Sequence, residues 1–219
     1  MIDLDIPNEK ILLAAQQTIY MVGIALIIGT ILGAAMAVIL VLTRKGGIRP
    51  NKIVYGILNA VINVVRSIPF IILMVFIMPL TKAIVGTRIG TTAAIVPLVM
   101  FIAPYLARLL ESSLLEVNRG IVEAAQSMGA TTFQIIWHFL LPESSGSLIL
   151  ALTNGAIGLL GATAMAGAIG AGGVGDLALT YGYERMNFPL MLFTIIVLIV
   201  FVQLIQVLGN FLSRRLRHK

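Results

Sequence analysis

Long apolar runs without a charged side chain occupy most of the sequence. They cover residues 11–43, 89–107, 144–175 and 186–213. Each run is at least as long as the roughly 18 residues that mark a candidate membrane-spanning helix. With a further apolar stretch before residue 80, they predict five spans: residues 14–42, 55–80, 89–108, 146–169 and 187–212. The pattern therefore predicts an all-α integral membrane protein with short connections.

The composition supports this class and leaves no room for a separate catalytic domain. Of the 219 residues, 59% are hydrophobic and 11% are charged, whereas a soluble domain carries about 25% charged residues. We therefore expect one transmembrane domain over residues 1–219 and no enzymatic activity in this chain. Cysteine is absent, and His138 and His218 do not form a ligand pair, so neither thiol nor metal chemistry is predicted.

Positive charge alternates between the two sides of the predicted spans. Ten Lys and Arg residues fall in the connection 43–52, the segment 108–143 and the C-terminal tail, and four fall in the N-terminus and the loops 81–88 and 170–186. By the positive-inside rule, the N-terminus lies outside and the C-terminus lies in the cytoplasm. The net charge of +6 is thus explained by topology, and nucleic acid is not an expected partner.

Two of the predicted spans contain glycine, proline or polar residues at informative positions. Gly29 and Gly33 in the first span form a small-xxx-small face that lets another helix approach closely. The second span is broken by Pro69 and carries Asn59, Asn63 and Arg66 at offsets of four and three, which places all three on one helical face. A charge at membrane depth is costly, so Arg66 must pair, reach the headgroups or line an aqueous path. A structural role and a role in a translocation path both remain open for this stripe.

Helix start and stop signals divide the longest predicted cytoplasmic connection, residues 109–143, into two short helices. Residues 121–128 contain no helix breaker and are followed by Gly129, a natural C-terminal stop. Thr131 and Gln134 form a capping-box pattern, after which a second helix is expected to continue until Pro142 ends it. The segment therefore predicts two short helices in a helix-turn-helix arrangement on the cytoplasmic face.

Three functions remain open for these two helices. Ala124 and Ala125 give the first helix a low profile that the groove of another protein could enclose, with Glu123 supplying a charge at the rim. An amphipathic pair on the lipid headgroups is the second possibility, because Trp137 and its apolar neighbours suit an interface. DNA binding is the third, but residues 132–141 contain no Lys or Arg to contact phosphates.

The same segment resembles a known family. Glu123-Ala124-Ala125, three residues, Gly129, nine residues and then Phe139-Leu140-Leu141-Pro142 is similar to the EAA loop of bacterial ABC importer membrane subunits, with Phe139 at a position where that family usually has Ile. The resemblance implies a permease fold of the type I importer kind. It also implies that this loop docks into a cleft of a cytoplasmic ATPase subunit, through Glu123, Ala124, Ala125, Gly129, Phe139, Leu141 and Pro142.

Further phrases resemble the D- and L-methionine importer permeases within that family. These segments are residues 66–73, residues 85–90 and the glycine-rich residues 167–175 followed by Tyr181-Gly182-Tyr183. The glycine-rich stretch formally satisfies G-x-G-x-x-G, but it lacks the strand, helix and acid of a dinucleotide site. We instead expect a tight, flexible external turn near which a substrate-delivery protein docks.

Met165 is the candidate gate of the translocation path. It lies in a run of small residues, 161–167, where its long thioether side chain projects beyond its neighbours and could seal a narrow path. The resemblance implies the same role, although simple packing remains an alternative.

The sequence thus predicts a permease subunit that imports D- or L-methionine across the bacterial inner membrane. It pairs with a second copy of itself, with two ATPase subunits and with an external binding lipoprotein. No P-loop sequence occurs, so the chain binds no cofactor, and ATP and Mg²⁺ are expected in the ATPase subunit. The alternatives are a permease for another amino acid or an osmolyte, and a self-contained channel or secondary carrier. Arg66 is the one base expected inside the spans and no acid is expected there, so the ion-coupling residues of a secondary carrier are missing.

Overall fold

A computed structural model describes residues 7–217, and every regular element within that range is helical, which confirms the all-α prediction. The acidic first six residues, His218 and Lys219 lie outside the described range. The helices are α1 (Asn8–Thr43), α2 (Lys52–Ser67), α3 (Phe70–Phe76), α4 (Met78–Val85), α5 (Thr91–Leu115), α6 (Arg119–Ser127), α7 (Thr132–Gln134), α8 (Leu141–Glu143), α9 (Ser145–Gly167), α10 (Val174–Asp176) and α11 (Phe188–Arg217). Two π-helical segments, Ile135–Leu140 and Leu177–Tyr183, precede α8 and follow α10.

Four helices are long and apolar enough to cross a membrane on their own. These are α1, α5, α9 and α11, and a fifth crossing is counted if the bent pair α2 and α3 is taken as one span. The axes of that pair differ by 103°, so the second predicted span, residues 55–80, is not a straight helix. Proline disfavours helical geometry in the residue before it, and Ile68 has extended dihedral angles of φ −84° and ψ 123°. Pro69 therefore separates the two helices.

Helix α5 is the centre of the packing. Its buried side chains include Leu98, Ile102 and Leu106, all of which are fully excluded from solvent. Helix α1 packs along α5 at the two glycines of its small-xxx-small face. A Cβ atom built on Gly33 lies 2.9 Å from the carbonyl oxygen of Ala103 and 2.9 Å from Cβ of Leu106. The predicted close approach of another helix is thus confirmed, and α5 is that helix.

Replacing Gly33 with Leu should destabilise the protein, because the new side chain has no space between α1 and α5. We expect the free energy of unfolding to fall by about 1–3 kcal/mol, as is typical of overpacked cores. Thermal unfolding in detergent, followed by circular dichroism, measures the change. Gly23→Leu on the same helix is the matched control, because nothing lies within 4 Å of a Cβ built there. Equal unfolding temperatures for the two variants would contradict the packing argument.

Helix α5 extends seven residues beyond the predicted end of the third span at residue 108. The extension brings Glu111 into the helix, and its Oε2 lies 2.7 Å from Nη1 of Arg108, the last residue of the predicted span. Glu111 is buried. The helix thus continues past the predicted span, and this ion pair lies in its last two turns. A charged pair three residues apart on a helix satisfies itself locally, so the helix continues through both charges.

Candidate coupling segment and translocation face

A side-chain cap begins helix α6, and a backbone cap ends it. The side chain of Asn118 accepts a hydrogen bond of 2.8 Å from the backbone N–H of Gly120. At the other end, Gly129 has φ +78°, its N–H donates to the carbonyl of Gln126, and the N–H of Ala130 donates to the carbonyl of Ala125. This is the Schellman arrangement, in which a left-handed residue closes the helix. Gly129 ends the helix as predicted.

The second helix of the segment begins with the predicted capping box. The hydroxyl of Thr131 accepts from the backbone N–H of Gln134, and the side chain of Gln134 accepts from the backbone N–H of Thr131. The prediction that Pro142 ends this helix is wrong, because helical structure continues to Glu143. The π-helical segment before Pro142 shifts the hydrogen-bond register, and Pro142 occupies the first turn of α8, where its missing N–H is tolerated.

The two helices pack against each other through Ala125. Its side chain is fully buried in the same apolar cluster as Ile135 and Leu140. Ala125 is therefore covered within this chain, and its small size lets α6 pack closely on the π-helical segment. Glu123 and Ala124, by contrast, are exposed. Of the predicted coupling residues, Gly129 and Pro142 are exposed too, and Phe139 and Leu141 are half-buried.

The outer face of this segment carries large exposed apolar side chains. Met128, Phe133 and Trp137 are 73%, 69% and 59% exposed. The rings of Phe133 and Trp137 stack in parallel with centroids 6.1 Å apart. Beside them is an open depression of about 420 Å³, lined by Met128, Gly129, Ala130, Gln134, His138 and Phe139. Exposed apolar side chains on this segment suit contact with another protein or with the lipid headgroups, two of the uses that the sequence left open. We call Glu123, Ala124, Met128, Gly129, Phe133 and Trp137 the coupling surface.

Two residues of the polar stripe on α2 are hydrogen-bonded to helix α5. The guanidinium of Arg108 on α5 donates to the side-chain oxygen of Asn59, and to that of Asn63 at 3.0 Å. Asn59 and Asn63, predicted as path residues, therefore tie α2 to α5. Sequence analysis missed Arg108 and Glu111 as members of this cluster.

Arg66, the third member of the stripe, has a different environment. It is exposed, and its guanidinium lies 5.9 Å from the ring centroid of Tyr105 on α5. Among residues 7–217, no hydrogen bond or ion pair of its side chain is present. Tyr105 stacks in turn on Phe101 at 6.2 Å, and Phe101 meets Phe70 edge-on at 5.2 Å. An aromatic row thus follows the elbow between α2 and α3.

One face of α9 lies beside this row. Asn154, Gly158, Gly161 and Met165 follow one another at spacings of four, three and four residues, which places them on one side of the helix. A Cβ built on Gly158 would lie 3.9 Å from Cε1 of Tyr105. Gly161 has open space around it, and Met165 is 52% exposed. Met165 thus projects from a face of small residues, as predicted. We call these four residues, with Tyr105 and Arg66, the translocation face.

The glycine-rich turn after α9 is hydrogen-bonded to two other helices. Gly170, Gly172 and Gly173 have positive φ angles, as expected of a tight turn. Side chains from two other helices fix the turn. Gln17 accepts from the N–H of Gly173 at 2.8 Å, Thr18 accepts from the N–H of Val174 at 2.9 Å, and Thr91 donates to the carbonyl of Ala171 at 2.9 Å. These three side chains therefore anchor the predicted tight turn to α1 and α5.

No cluster of three or more His, Cys, Asp or Glu side chains that could hold a metal ion is present among residues 7–217.

Comparison with known proteins points to membrane transport. A family model described as the inner membrane component of binding-protein-dependent transport systems matches residues 29–218. A curated relative in Vibrio cholerae, named "Probable D-methionine transport system permease protein MetI", is 50% identical over 97% of this chain and 94% of its own length. The methionine import system permease protein MetP of Bacillus subtilis is 45% identical over 80% of this chain and 79% of its own length.

Solved structures agree on the fold. An inward-facing structure of the MetNI methionine ABC transporter matches with a TM-score of 0.93 and 41% identity, over 94% of this chain and 96% of that one. An amino acid ABC transporter solved with histidines matches with a TM-score of 0.78 and 20% identity, over 95% of this chain and 94% of that one. At that identity, the second match concerns the fold alone.

Proposed function

This chain belongs to the family of inner membrane components of binding-protein-dependent transport systems, and we propose that it is the permease subunit of an ATP-driven importer of D- or L-methionine. The observation that carries the proposal is the coupling surface, a capped pair of helices with exposed Glu123, Ala124 and Gly129 on the segment that resembles an ATPase-docking loop. The similarity over nearly the whole chain to methionine permeases supports the substrate. Residues 1–219 then form one transmembrane domain, with 109–143 as its coupling loop.

The proposed assembly contains two copies of this chain, two ATPase subunits and an external binding lipoprotein. The translocation face supports the pairing, because Asn154, Gly161 and Met165 are exposed on a helix face of small and polar residues. Such a face suits contact with another helix or with water better than contact with lipid. The chain itself binds no cofactor, since ATP and Mg²⁺ occupy the ATPase subunits. The N-terminus lies outside and the C-terminus in the cytoplasm, in keeping with the charge asymmetry.

The helices suggest how motion at the coupling surface reaches the gate. From Thr132 to Gly167 the chain is helical except at Ser144, whose φ of −87° and ψ of 1° mark a local break. When ATP binding closes the ATPase dimer, the docked coupling surface moves with it, and α9 transmits the displacement to Met165 near its far end. Opening at Met165 admits substrate from outside, and hydrolysis reverses the change and releases it inside.

Reconstitution tests this function directly. The chain, its ATPase subunit and its binding protein are placed in proteoliposomes, and uptake of labelled methionine is measured with ATP and with a non-hydrolysable analogue. We expect uptake only with ATP, and competition by excess methionine but not by glutamine or betaine. Uptake without the ATPase would identify a channel or secondary carrier. Competition by glutamine or betaine would instead assign a different substrate.

A further inference from the structure

We propose that Arg66 binds the carboxylate of the substrate in transit, on the cytoplasmic side of the gate at Met165. This inference rests on the proposed import of an amino acid and adds to it a binding site inside the membrane. The site consists of the Arg66 guanidinium, with the aromatic row of Tyr105 and Phe101 beside it for the apolar part of the substrate.

The depth of Arg66 is the first support. Helix α2 begins at Lys52, directly after the basic connection that carries the cytoplasmic charge. Fourteen residues of helix separate Lys52 from Arg66, which corresponds to about 21 Å at ~1.5 Å per residue. A helix that enters a hydrocarbon layer about 30 Å thick at Lys52 carries Arg66 well inside that layer, next to the break at Pro69.

The isolation of its charge is the second support. Arg108, the other arginine of this region, is neutralised by Glu111 and donates to Asn59 and Asn63. The guanidinium of Arg66 lies over the ring of Tyr105. Among the described residues it has no carboxylate partner and no hydrogen-bond acceptor. An arginine at this depth requires water or an anion, and its planar guanidinium matches a carboxylate with two parallel hydrogen bonds.

The position of Arg66 along the path is the third support. Tyr105 holds the guanidinium and also lies against Gly158 on α9. Met165 is seven residues further along α9, about 10 Å outward at ~1.5 Å per residue. A substrate that has passed Met165 therefore meets the aromatic row and Arg66 next. Because Gly158 and Gly161 have no side chain, the face between gate and guanidinium leaves space for the substrate.

The absence of cysteine in this chain permits a charge-specific test. Arg66→Cys introduces a single thiol, which is assembled with cysteine-free ATPase and binding-protein partners. We expect methionine uptake to fall about tenfold or more, as the loss of a charge-assisted hydrogen bond implies. Treatment with 2-aminoethyl methanethiosulfonate restores a positive charge and should recover uptake several-fold. Treatment with the 2-sulfonatoethyl reagent adds a negative charge and should not.

Three controls separate loss of the carboxylate site from a general defect in assembly or coupling. ATP hydrolysis stimulated by the binding protein should stay within about twofold of wild type in Arg66→Cys, because the coupling surface is untouched. Arg66→Lys, which keeps the charge, should retain more uptake than Arg66→Gln even if the cysteine variant does not assemble. Arg215→Gln removes the same charge from the exposed end of α11 and should leave uptake unchanged.

Several results would overturn the proposal. They are equal uptake after the two reagents, equal uptake by the Lys and Gln variants, and a thiol that reacts with neither water-soluble reagent. Failure of the proposed function is a separate outcome, since the wild-type complex would then show no ATP-dependent methionine uptake at all.

Discussion

We expect Glu123→Lys and Gly129→Asp each to lower methionine uptake sharply in the proposed importer after reconstitution, while the chain still folds. Glu123 is exposed and lines a cavity of about 310 Å³ with Arg44 and Arg119, so its replacement by lysine places three cations around a cavity at the edge of the coupling surface. Gly129 has open space around it, and aspartate tolerates a positive φ better than most residues. The introduced carboxylate therefore perturbs docking rather than folding. We expect uptake to fall at least about tenfold, which corresponds to ~1.4 kcal/mol of coupling free energy.

Uptake, ATP hydrolysis and co-purification with the ATPase subunit are measured together. Gly86→Asp is the matched control for Gly129→Asp, because Gly86 has φ +84°, has nothing within 4 Å and lies on the predicted outer side. Glu9→Lys, in the first turn of α1, controls for charge reversal. Full uptake by both coupling-surface variants, with the ATPase still bound, would remove this segment from the transport mechanism.

Arg108→Met is the substitution with the largest expected effect on stability. It leaves the carboxylate of Glu111 buried without its partner, and it removes the donor to Asn59 and Asn63 that ties α2 to α5. Breaking a buried ion pair from one side costs about 3–5 kcal/mol, because an uncompensated charge remains. The midpoint of thermal unfolding in detergent, followed by circular dichroism in the far ultraviolet, measures the loss.

A second substitution identifies the cause of that loss. In the double variant with Arg108→Met and Glu111→Leu, no unpaired charge is left, and apolar replacements of buried ion pairs are often neutral or stabilising. We therefore expect the double variant to unfold at a higher temperature than Arg108→Met alone. If both variants lose the same stability, the hydrogen bonds to the α2 asparagines, and not the buried charge, hold the helices together.

The spans could be predicted from the sequence where the signal is local. Helices α1, α9 and α11 coincide with charge-free runs, and Gly129 and the Thr131 capping box determined the ends of the short helices. Pro69 predicted a break, but not its angle of 103°. Proline fixes only its own φ and restricts the residue before it, so the direction of α3 depends on packing against α5.

The missed features share a physical origin in side-chain contacts. Arg108 indicated the start of a loop because a charge usually ends a span, but opposite charges three residues apart pair on a helix, and Glu111 is that partner. The small size of Ala125 suggested a docking position. In the structure the π-helical segment packs on the side of α6 that carries Ala125, and this packing buries it. Arg66, Asn63 and Asn59 were correctly placed on one face, but only the structure separates the two asparagines bound to Arg108 from the guanidinium beside Tyr105.

The hydrogen bonds between α1 and the glycine-rich turn form only late in the synthesis of the chain. Gln17 and Thr18 accept hydrogen bonds from residues 156 positions later in the chain. Because α1 emerges from the ribosome first, these two side chains enter the bilayer long before their donors exist. The nascent chain therefore passes through a stage in which Gln17 and Thr18 lack these two backbone partners. A ribosome-stalled chain that ends before residue 170 should expose these groups, and extension past Val174 should bury them.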